Sequence, residues 1–343
     1  MNTEEFDIQV PKELIAQTPA DPRDSCRLIV LDKKVQSIRH CSFWELPYFL
    51  TEGDTLVFNN SRVIPARLKG HKVDSPMEEV TILLLSQISK NKWEALIEVG
   101  EIIVGTEIVL GQGDVTCRIL QQKEKIGRRT ETLVSIELSD DSKLDTLGEP
   151  PIPPYIHGYK GDPEKYQTVY SSIRGSAAAP TAGLHFTDGL LDKLRRRGIN
   201  LAFVTLHVGI DTFMPVYEAD PKDHKMYTEM YKVEEATAKL INETRKKGKK
   251  IITVGTTSTR TLETVTDENG ITHASSGWTN IYILPGYKWK SIDGMITNFH
   301  YPRSTNLMMV SALAGTEFLK KSYEEAVKER YRFYSFGDSM LII

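Results

Sequence analysis

The middle of this chain differs from its flanks, because it consists of closely spaced short strand patterns. Between residues 69 and 150, Gly, Asn and Asp residues separate five short apolar runs: EVTILLLS, KWEALIEV, GTEIVLG, VTCRIL and TLVSIEL. Short strands at this spacing, joined by turn residues, are typical of a small barrel or sandwich. The pattern predicts an inserted all-β, barrel-like domain that covers residues 69–150.

The segments on either side of this insertion alternate between helical and strand patterns, which is typical of an α/β fold. A proline-rich segment, residues 149–159, ends the insertion and favours an extended path. We therefore predict a discontinuous α/β main domain, residues 1–68 and 151–343, interrupted by the barrel-like domain. Its later elements are predicted as strands 201–208, 251–255 and 295–298 and helices 188–197, 234–247 and 304–315.

Charge distinguishes the same two parts of the chain. Residues 69–150 carry ten basic and fifteen acidic side chains, whereas the remainder carries 33 and 31. The acidic insertion is therefore not expected to bear the main phosphate-binding surface. The overall formal net charge of −3 does not exclude a nucleic-acid partner, because a local basic patch is sufficient.

Cysteine usage and hydropathy predict the compartment. The three cysteines are odd in number and far apart, which indicates a reducing cytoplasm with neither disulfides nor a metal site. The acidic, polar N-terminus lacks the pattern of a signal peptide. The longest apolar stretch, residues 307–315, is too short to span a bilayer, so no membrane partner is expected.

One stretch, GSAAAPTAGLHFT at residues 175–187, combines small side chains with a histidine and a predicted helix start. Gly and Ala let a ligand approach the backbone closely. Thr187 is expected to cap the following helix and Gly198 to end it. The stretch is suited to hold an anionic or polar ligand at the helix start, and a tight crossing of two elements is the alternative.

Polar and small residues follow four predicted strands at their carboxyl ends, which is where ligands bind in open α/β sheets. These loops are Asn59–Arg62, His207–Gly209, Gly255–Arg260 and Phe299–His300. Together they predict a shared pocket, although a single histidine in such a place more often has a structural role.

Three further segments have both a ligand-binding and a structural interpretation. The hydroxyls and amides of Gly255–Arg260 suit a carboxylate or phosphate, with helix capping as the alternative. Arg62 and Arg67 suit bidentate recognition of the same groups, with a salt-bridged domain junction as the alternative. Residues 330–336 interleave arginines with aromatic rings that suit base stacking, although core packing of a final strand is the favoured interpretation.

Ordered motifs from residue 6 to residue 342 match one known family. The chain resembles the S-adenosylmethionine:tRNA ribosyltransferase-isomerases of queuosine biosynthesis. The main motifs are PKELIAQ (11–17), RDSCRL (23–28), GDTLVFNNSRVIPARLKG (53–70), PPIPPYI (150–156), YQTVYS (166–171), GSAAAPTAGLHFT (175–187), VTLHVG (204–209), VGTTSTRTLE (254–263), ILPGY (283–287), TNFHYPRST (297–305) and YRFYSFGDSMLI (331–342).

The resemblance implies an enzyme with an α/β domain interrupted by a β-barrel, which is cytoplasmic and monomeric. Such an enzyme transfers and isomerises the ribosyl group of S-adenosylmethionine onto a 7-aminomethyl-7-deazaguanine base at the wobble position of a tRNA anticodon. The implied products are epoxyqueuosine in tRNA, adenine and methionine. S-adenosylmethionine is then a consumed substrate, and no separate cofactor is implied.

Several positions depart from the expected family pattern, and one of these departures is the loop Asn59-Asn60-Ser61, where Asn-Asp-Thr is more usual. Asp211 and Met214 stand where Gly and Arg are expected, and Tyr227 replaces the second histidine of a run that begins at His224. These changes support an alternative, namely a tRNA- or rRNA-binding protein without catalysis. A second alternative is an α/β enzyme that uses the same pocket for a small nucleoside without RNA.

The implied reaction removes a proton beside a sulfonium, so a histidine is expected to transfer that proton. His185 and His300 are the candidate catalytic residues. The candidates for binding S-adenosylmethionine or the tRNA base are Arg62, Arg67, Gly175, Ser176, Pro180, Thr181, Gly183, His207, Glu229, Gly255, Thr256, Thr257, Arg260 and Asn298.

Overall fold

The protein is described here by a computed structural model that covers residues 1–98, 103–125, 131–209 and 215–343 of the 343-residue chain. Its two main parts are a mixed β-sheet packed between helices and a closed antiparallel barrel. The predicted fold class, an α/β domain with an inserted barrel, is therefore confirmed.

The elements have the following bounds. The strands are β1 Arg27–Asp32, β2 Ser37–Ser42, β3 Thr55–Asn59, β4 Ser61–Val63, β5 Arg67–Lys72, β6 Glu79–Ser89, β7 Lys92–Glu98, β8 Glu107–Leu110, β9 Val115–Lys125, β10 Glu131–Leu138, β11 Ile173–Ser176, β12 Asn200–Leu206, β13 Glu229–Val233, β14 Ile251–Val254, β15 Ser275–Thr279, β16 Gly294–Asn298 and β17 Ser339–Ile342. The α-helices are α1 Leu144–Leu147, α2 Asp188–Arg196, α3 Glu235–Lys246, α4 Thr256–Val265, α5 Thr305–Ala314 and α6 Thr316–Lys328.

The large sheet has the strand order β15-β13-β12-β3-β14-β16-β17-β1-β2 within the described ranges. Its central strands β12, β3, β14 and β16 are parallel neighbours. Alternate residues of each strand point to opposite faces. Val57 and Ile251 therefore pack against α3 to α6, whereas Leu56 and Ile252 pack against α2, so both faces of the sheet are covered.

The predicted helices and strands of the second segment are present, with ends that differ by one or two residues. Thr187 caps α2 as expected, because its hydroxyl accepts a hydrogen bond of 3.1 Å from the Leu190 amide. Gly198 follows the helix with a φ of 74°, a left-handed conformation that suits glycine. No helix among the described residues is long and apolar enough to cross a bilayer.

The barrel closes in the order β10-β7-β6-β5-β8-β9 among the described residues. The five apolar runs correspond to β6, β7, β8, β9 and β10. The first barrel strand, β5, was not predicted, because only Leu68 of its residues is buried and the others are charged, small or partly exposed. The barrel strands run from Arg67 to Leu138, while the exact domain boundaries at 68/69 and 150/151 stay a prediction.

Candidate active site

The carboxyl ends of four parallel strands meet at one edge of the large sheet. Strands β12, β3, β14 and β16 end at Leu206, Asn59, Val254 and Asn298. Because these strands are parallel neighbours, the loops that follow them lie along the same edge. This is the edge at which α/β sheets bind their ligands.

A cavity of about 650 Å³ lies at this edge, and its volume is in the usual range for a small-molecule site. The loop before α2, the start of α4, the end of β16 and the C-terminal residues all contribute to its wall. The candidate residues that line it are Pro180, Thr181, Gly255, Thr256, Thr257, Asn298 and His300.

The N-terminus of α4 forms one polar wall of the cavity. Gly255 precedes the helix with a φ of 90°, which glycine adopts without the strain that a Cβ would bring. Thr256 and Thr257 open the helix, whose first amides have no partner within it. The Thr257 hydroxyl is buried and has no hydrogen-bond partner in the described part of the chain. This wall is therefore suited to an anionic group.

Three tyrosines form an aromatic wall, and of these only Tyr334 was considered from the sequence, as part of residues 330–336. Tyr334 lies 5.0 Å from Tyr155 and 5.2 Å from Tyr301, measured between ring centroids. The Tyr155 hydroxyl is 2.7 Å from the Ser335 hydroxyl, and burial raises the pKa of Tyr155 to about 12. Tyr155 lies in the proline-rich segment and Tyr301 in the TNFHYPRST motif, so the aromatic positions in those motifs were the available signal.

His300 lies on the cavity wall, and its environment keeps it neutral. Its Nε2 is 2.6 Å from the Thr297 hydroxyl, and its backbone amide donates to the Tyr323 hydroxyl at 2.7 Å. Loss of solvent around the ring lowers the pKa of His300 to about 4. At neutral pH the imidazole is therefore unprotonated and able to accept a proton.

His185 is not among the residues that line this cavity, although it lies directly behind the wall. Its Nε2 is 3.1 Å from Nδ2 of Asn298, and its Nδ1 is 3.1 Å from the Cys26 sulfur. Burial, together with the charges of Arg23 and Arg332, lowers the pKa of His185 to about 3. With both ring nitrogens engaged inside the protein, His185 is poorly placed to take a proton from a ligand.

The two candidate arginines lie where the chain enters the barrel, contact the segment that leaves it, and do not line the cavity. Arg62 pairs with Glu164 and donates a 3.0 Å hydrogen bond to Ser171. The Arg67 side chain lies 3.4 Å from the carbonyl oxygen of Ile152. These contacts agree with the alternative interpretation of the two arginines, in which they bond two chain segments at a domain junction.

The first and last parts of residues 175–187 have packing roles. A Cβ on Gly175 would lie 2.9 Å from the His207 ring, and one on Gly183 would lie 1.9 Å from the Tyr170 hydroxyl. Ser176 donates a hydrogen bond to the Ala178 carbonyl and accepts one from the Val208 amide. Only the middle of the stretch reaches the cavity, and the hydroxyl of Thr187 occupies the start of α2.

The half-buried His207 and the buried Glu229–Arg260 ion pair lie beyond the end of β12. Glu229 accepts hydrogen bonds from the Gly209 amide and from Arg260, and both side chains of this ion pair are buried. Burial lowers the pKa of His207, and its Nδ1 has no hydrogen-bond partner among the described residues. None of the three lines the cavity.

The residues that depart from the family pattern lie in different places in the structure. Asp211 and Met214 lie outside the described residues. Tyr227 packs against an apolar cluster on the outside of the barrel, formed by Leu85, Leu96 and Leu133. His224, the first residue of the run, is 3.0 Å from a carboxylate oxygen of Glu218. Tyr227 therefore joins the main domain to the barrel.

The C-terminal aromatic residues mostly belong to the core. Tyr331, Phe333 and Phe336 are buried, which agrees with the favoured interpretation of that segment. Tyr334 is buried as well, but it also lines the cavity, with a left-handed φ of 69°. Among the described residues, no group of three His, Cys, Asp or Glu side chains is arranged to hold a metal ion.

A polar and aromatic cavity at the carboxyl ends of parallel strands defines a ligand-binding α/β protein. Comparison with known proteins narrows that class. The chain belongs to the queuosine biosynthesis protein family, whose model matches residues 3–342. The resemblance indicated by the sequence motifs is therefore confirmed.

Curated relatives cover the whole chain. An S-adenosylmethionine:tRNA ribosyltransferase-isomerase of Caldanaerobacter subterraneus is 51% identical, and one of Staphylococcus haemolyticus is 49% identical, each over 100% of both chains. A crystal structure of an S-adenosylmethionine tRNA ribosyltransferase from Thermotoga maritima is also similar. It is 37% identical, matches 99% of this chain and 100% of its own, and superposes with a TM-score of 0.57.

Proposed function

We propose that this chain transfers and isomerises the ribosyl group of S-adenosylmethionine onto tRNA, which makes it a transferase and isomerase of queuosine biosynthesis. The observation that carries the proposal is the cavity at the carboxyl edge of the sheet, found in a chain that belongs to this family over nearly its full length. The names of the full-length relatives supply the reaction type.

The acceptor in this proposal is a 7-aminomethyl-7-deazaguanine base at the wobble position of the tRNA anticodon. The amine of that base gains the ribosyl-derived group, adenine and methionine are released, and the product is epoxyqueuosine. S-adenosylmethionine is consumed, and neither a metal nor a further cofactor takes part. The protein acts as a monomer in the cytoplasm.

The walls of the cavity suit different parts of S-adenosylmethionine. The amides at the start of α4, with the Thr256 and Thr257 hydroxyls, suit the methionine carboxylate. The rings of Tyr155, Tyr301 and Tyr334 suit an aromatic base and a neighbouring sulfonium, because aromatic faces attract cations. Tyr301 is 47% exposed at the rim, so an extruded tRNA base enters on that side.

Of the two candidate histidines, His300 is the better general base. A sulfonium acidifies the hydrogens on the adjacent C5′, and an unprotonated imidazole is needed to remove one. His300 lines the cavity and stays neutral at pH 7, because its pKa is lowered to about 4. A tautomer that donates Nε2–H to the Thr297 hydroxyl leaves Nδ1 as the proton acceptor.

Release of free adenine tests the proposal. The protein is incubated with S-adenosylmethionine and tRNA that carries either the aminomethyl base or an unmodified wobble base. We expect adenine to appear only with the modified tRNA, together with a mass increase of that tRNA. Adenine release with a free 7-deazaguanine nucleoside, or binding of tRNA without any adenine release, would contradict the proposal.

A further inference from the structure

We propose that the side-chain oxygen of Asn298 recognises the exocyclic amino group of the adenine ring, and that His185 is a positioning residue which orients the Asn298 amide for this contact. The inference rests on the proposed function, since it assigns one end of S-adenosylmethionine to a place in the cavity. It gives His185 a role that differs from proton transfer.

The orientation of the Asn298 amide follows from its two contacts. A single side-chain atom lies 3.1 Å from the Tyr334 carbonyl oxygen and 3.1 Å from Nε2 of His185. A carbonyl oxygen only accepts hydrogen bonds, so this atom must be the amide nitrogen. Both of its hydrogens are therefore used, one toward Tyr334 and one toward His185.

The same contacts determine the tautomer of His185. Because Nε2 accepts from Asn298, the ring proton is on Nδ1, where it faces the Cys26 sulfur at 3.1 Å. The imidazole is buried and neutral, with a pKa lowered to about 3, so this arrangement persists over the whole physiological pH range. His185 therefore holds the amide of Asn298 in one orientation.

The other end of the amide has no partner. Asn298 is only 2% exposed, and its Oδ1 has no hydrogen bond with any described residue. A buried carbonyl oxygen without a donor is unfavourable, and a ligand that supplies an N–H relieves that cost. Asn298 is among the residues that line the cavity, at the end of β16, and in this proposal the bound ligand supplies that N–H.

The surroundings select a flat ring with an amine. The residue whose carbonyl holds Asn298 is Tyr334, and its ring packs with Tyr155 and Tyr301 along the cavity. Adenine combines an aromatic face with an amino group in the same plane. The buried position of Asn298 favours the small substrate, because the proposed function has the tRNA base entering at the rim, where Tyr301 is exposed. This places the adenine end of S-adenosylmethionine on the inner side.

The test compares two ligands that differ at one position of the ring. S-inosylhomocysteine carries an oxo group where S-adenosylhomocysteine carries the amine, and calorimetry gives the Kd of each without turnover. We expect the wild-type protein to bind the adenosyl compound about tenfold to a hundredfold more tightly, which is the range for losing one buried hydrogen bond. In Asn298→Ala this preference should disappear.

Variants of His185 and a control variant at another asparagine complete the binding experiment. His185→Gln keeps a hydrogen-bond acceptor for the Asn298 amide and should keep most of the preference for the adenosyl ligand. His185→Leu removes that acceptor, so the Asn298 amide can rotate by about 180° and the preference should fall. Asn242→Ala is the control, since that amide is paired with the backbone of Thr272 away from the cavity. It should retain the wild-type ratio.

The Kd ratio within one variant is insensitive to a general loss of folding, so destabilised variants remain informative. An unchanged preference in Asn298→Ala, or equal binding of both ligands by the wild type, would overturn the inference. Equal effects of His185→Gln and His185→Leu on the ratio would overturn the positioning role. Failure of the wild type to bind either ligand would instead count against the proposed function.

Discussion

At the scale of single residues, the two candidate histidines illustrate how burial changes the chemistry of one side chain. Both lose their charge through desolvation, with pKa values of about 3 for His185 and about 4 for His300. His185 has both ring nitrogens engaged by Asn298 and Cys26, whereas His300 faces the cavity. The same residue type therefore positions a neighbour in one place and is available for proton transfer in the other.

Replacing His300 by alanine should lower kcat for adenine release by about a hundredfold to ten-thousandfold, the usual contribution of a general base. The KM for S-adenosylmethionine should change much less, because the remaining walls of the cavity are intact. Steady-state assays with modified tRNA measure both constants. The control is His273→Ala, an exposed histidine paired with Asp267, which should keep the wild-type rate. A normal kcat in His300→Ala would rule out this base.

At the scale of elements, the segment from β11 to α2 is shaped by close packing as much as by ligand contact. Gly183 lies where a Cβ would meet the Tyr170 hydroxyl at 1.9 Å and the Thr168 methyl at 2.8 Å. Tyr170 itself packs edge-on against Phe58, so it has little freedom to move. The small residues of this segment therefore serve a close contact with the loop that carries Thr168 and Tyr170, at Gly183, and the cavity wall at Pro180–Ala182.

The substitution Gly183→Ala should destabilise the protein by about 1–3 kcal/mol, because an extra methyl group is forced into a filled space. Adding Tyr170→Phe removes the nearest clashing atom and should restore part of that loss, while Tyr170→Phe alone should have a small effect. Urea unfolding of the two single variants and the double variant measures the coupling. Strictly additive changes would show that the clash with Tyr170 is not the cause.

At the scale of the whole molecule, the barrel is held to the main domain by apolar contacts. Ala177, which follows β11, packs into the barrel core, and Tyr227 packs against the outside of the barrel. Beyond the barrel, Arg62 pairs with Glu164 to join β4 to the segment that returns to the main domain. The barrel is therefore packed against the same main domain that contains the cavity.

The two neutral histidines, His185 in the interior and the half-buried His300 on the cavity wall, predict how stability depends on pH. Below a pH of about 6.5 the unfolded chain protonates both rings, whereas the folded protein resists protonation until about pH 4 and pH 3. Stability is therefore lost as pH falls through this window, by up to about 2.7 kcal/mol per pH unit from the two rings together.

The variant His185→Gln isolates one half of this effect, because glutamine does not titrate and keeps an acceptor for Asn298. Urea unfolding between pH 6 and pH 4 should show a pH slope that is smaller by about 1.4 kcal/mol per unit than in the wild type. Identical slopes for the two proteins would mean that His185 is not buried in its neutral form.

Much of the fold was predictable because the periodicity of the apolar residues matches the helices and strands that the chain forms. The alternating patterns placed α2, α3, α5, β12, β14 and β16 to within one or two residues, and the apolar runs identified five of the six barrel strands found in the described ranges. Strand β5 escaped prediction because its residues are mostly polar. Its pairing with β6 and β8 is a long-range property that no local pattern encodes.

The sequence by itself determined the family, the fold class and the edge of the sheet at which the cavity lies. The order of the motifs and the periodicity of the strands can be read from the sequence, because neither depends on how the side chains pack. The tertiary structure decided which polar residues share the cavity. Pro180, Thr256, Asn298 and His300 line it, whereas Arg62, Arg67, Arg260 and His185 are bound elsewhere. That division depends on which way side chains point and what they contact, which only the packed chain defines.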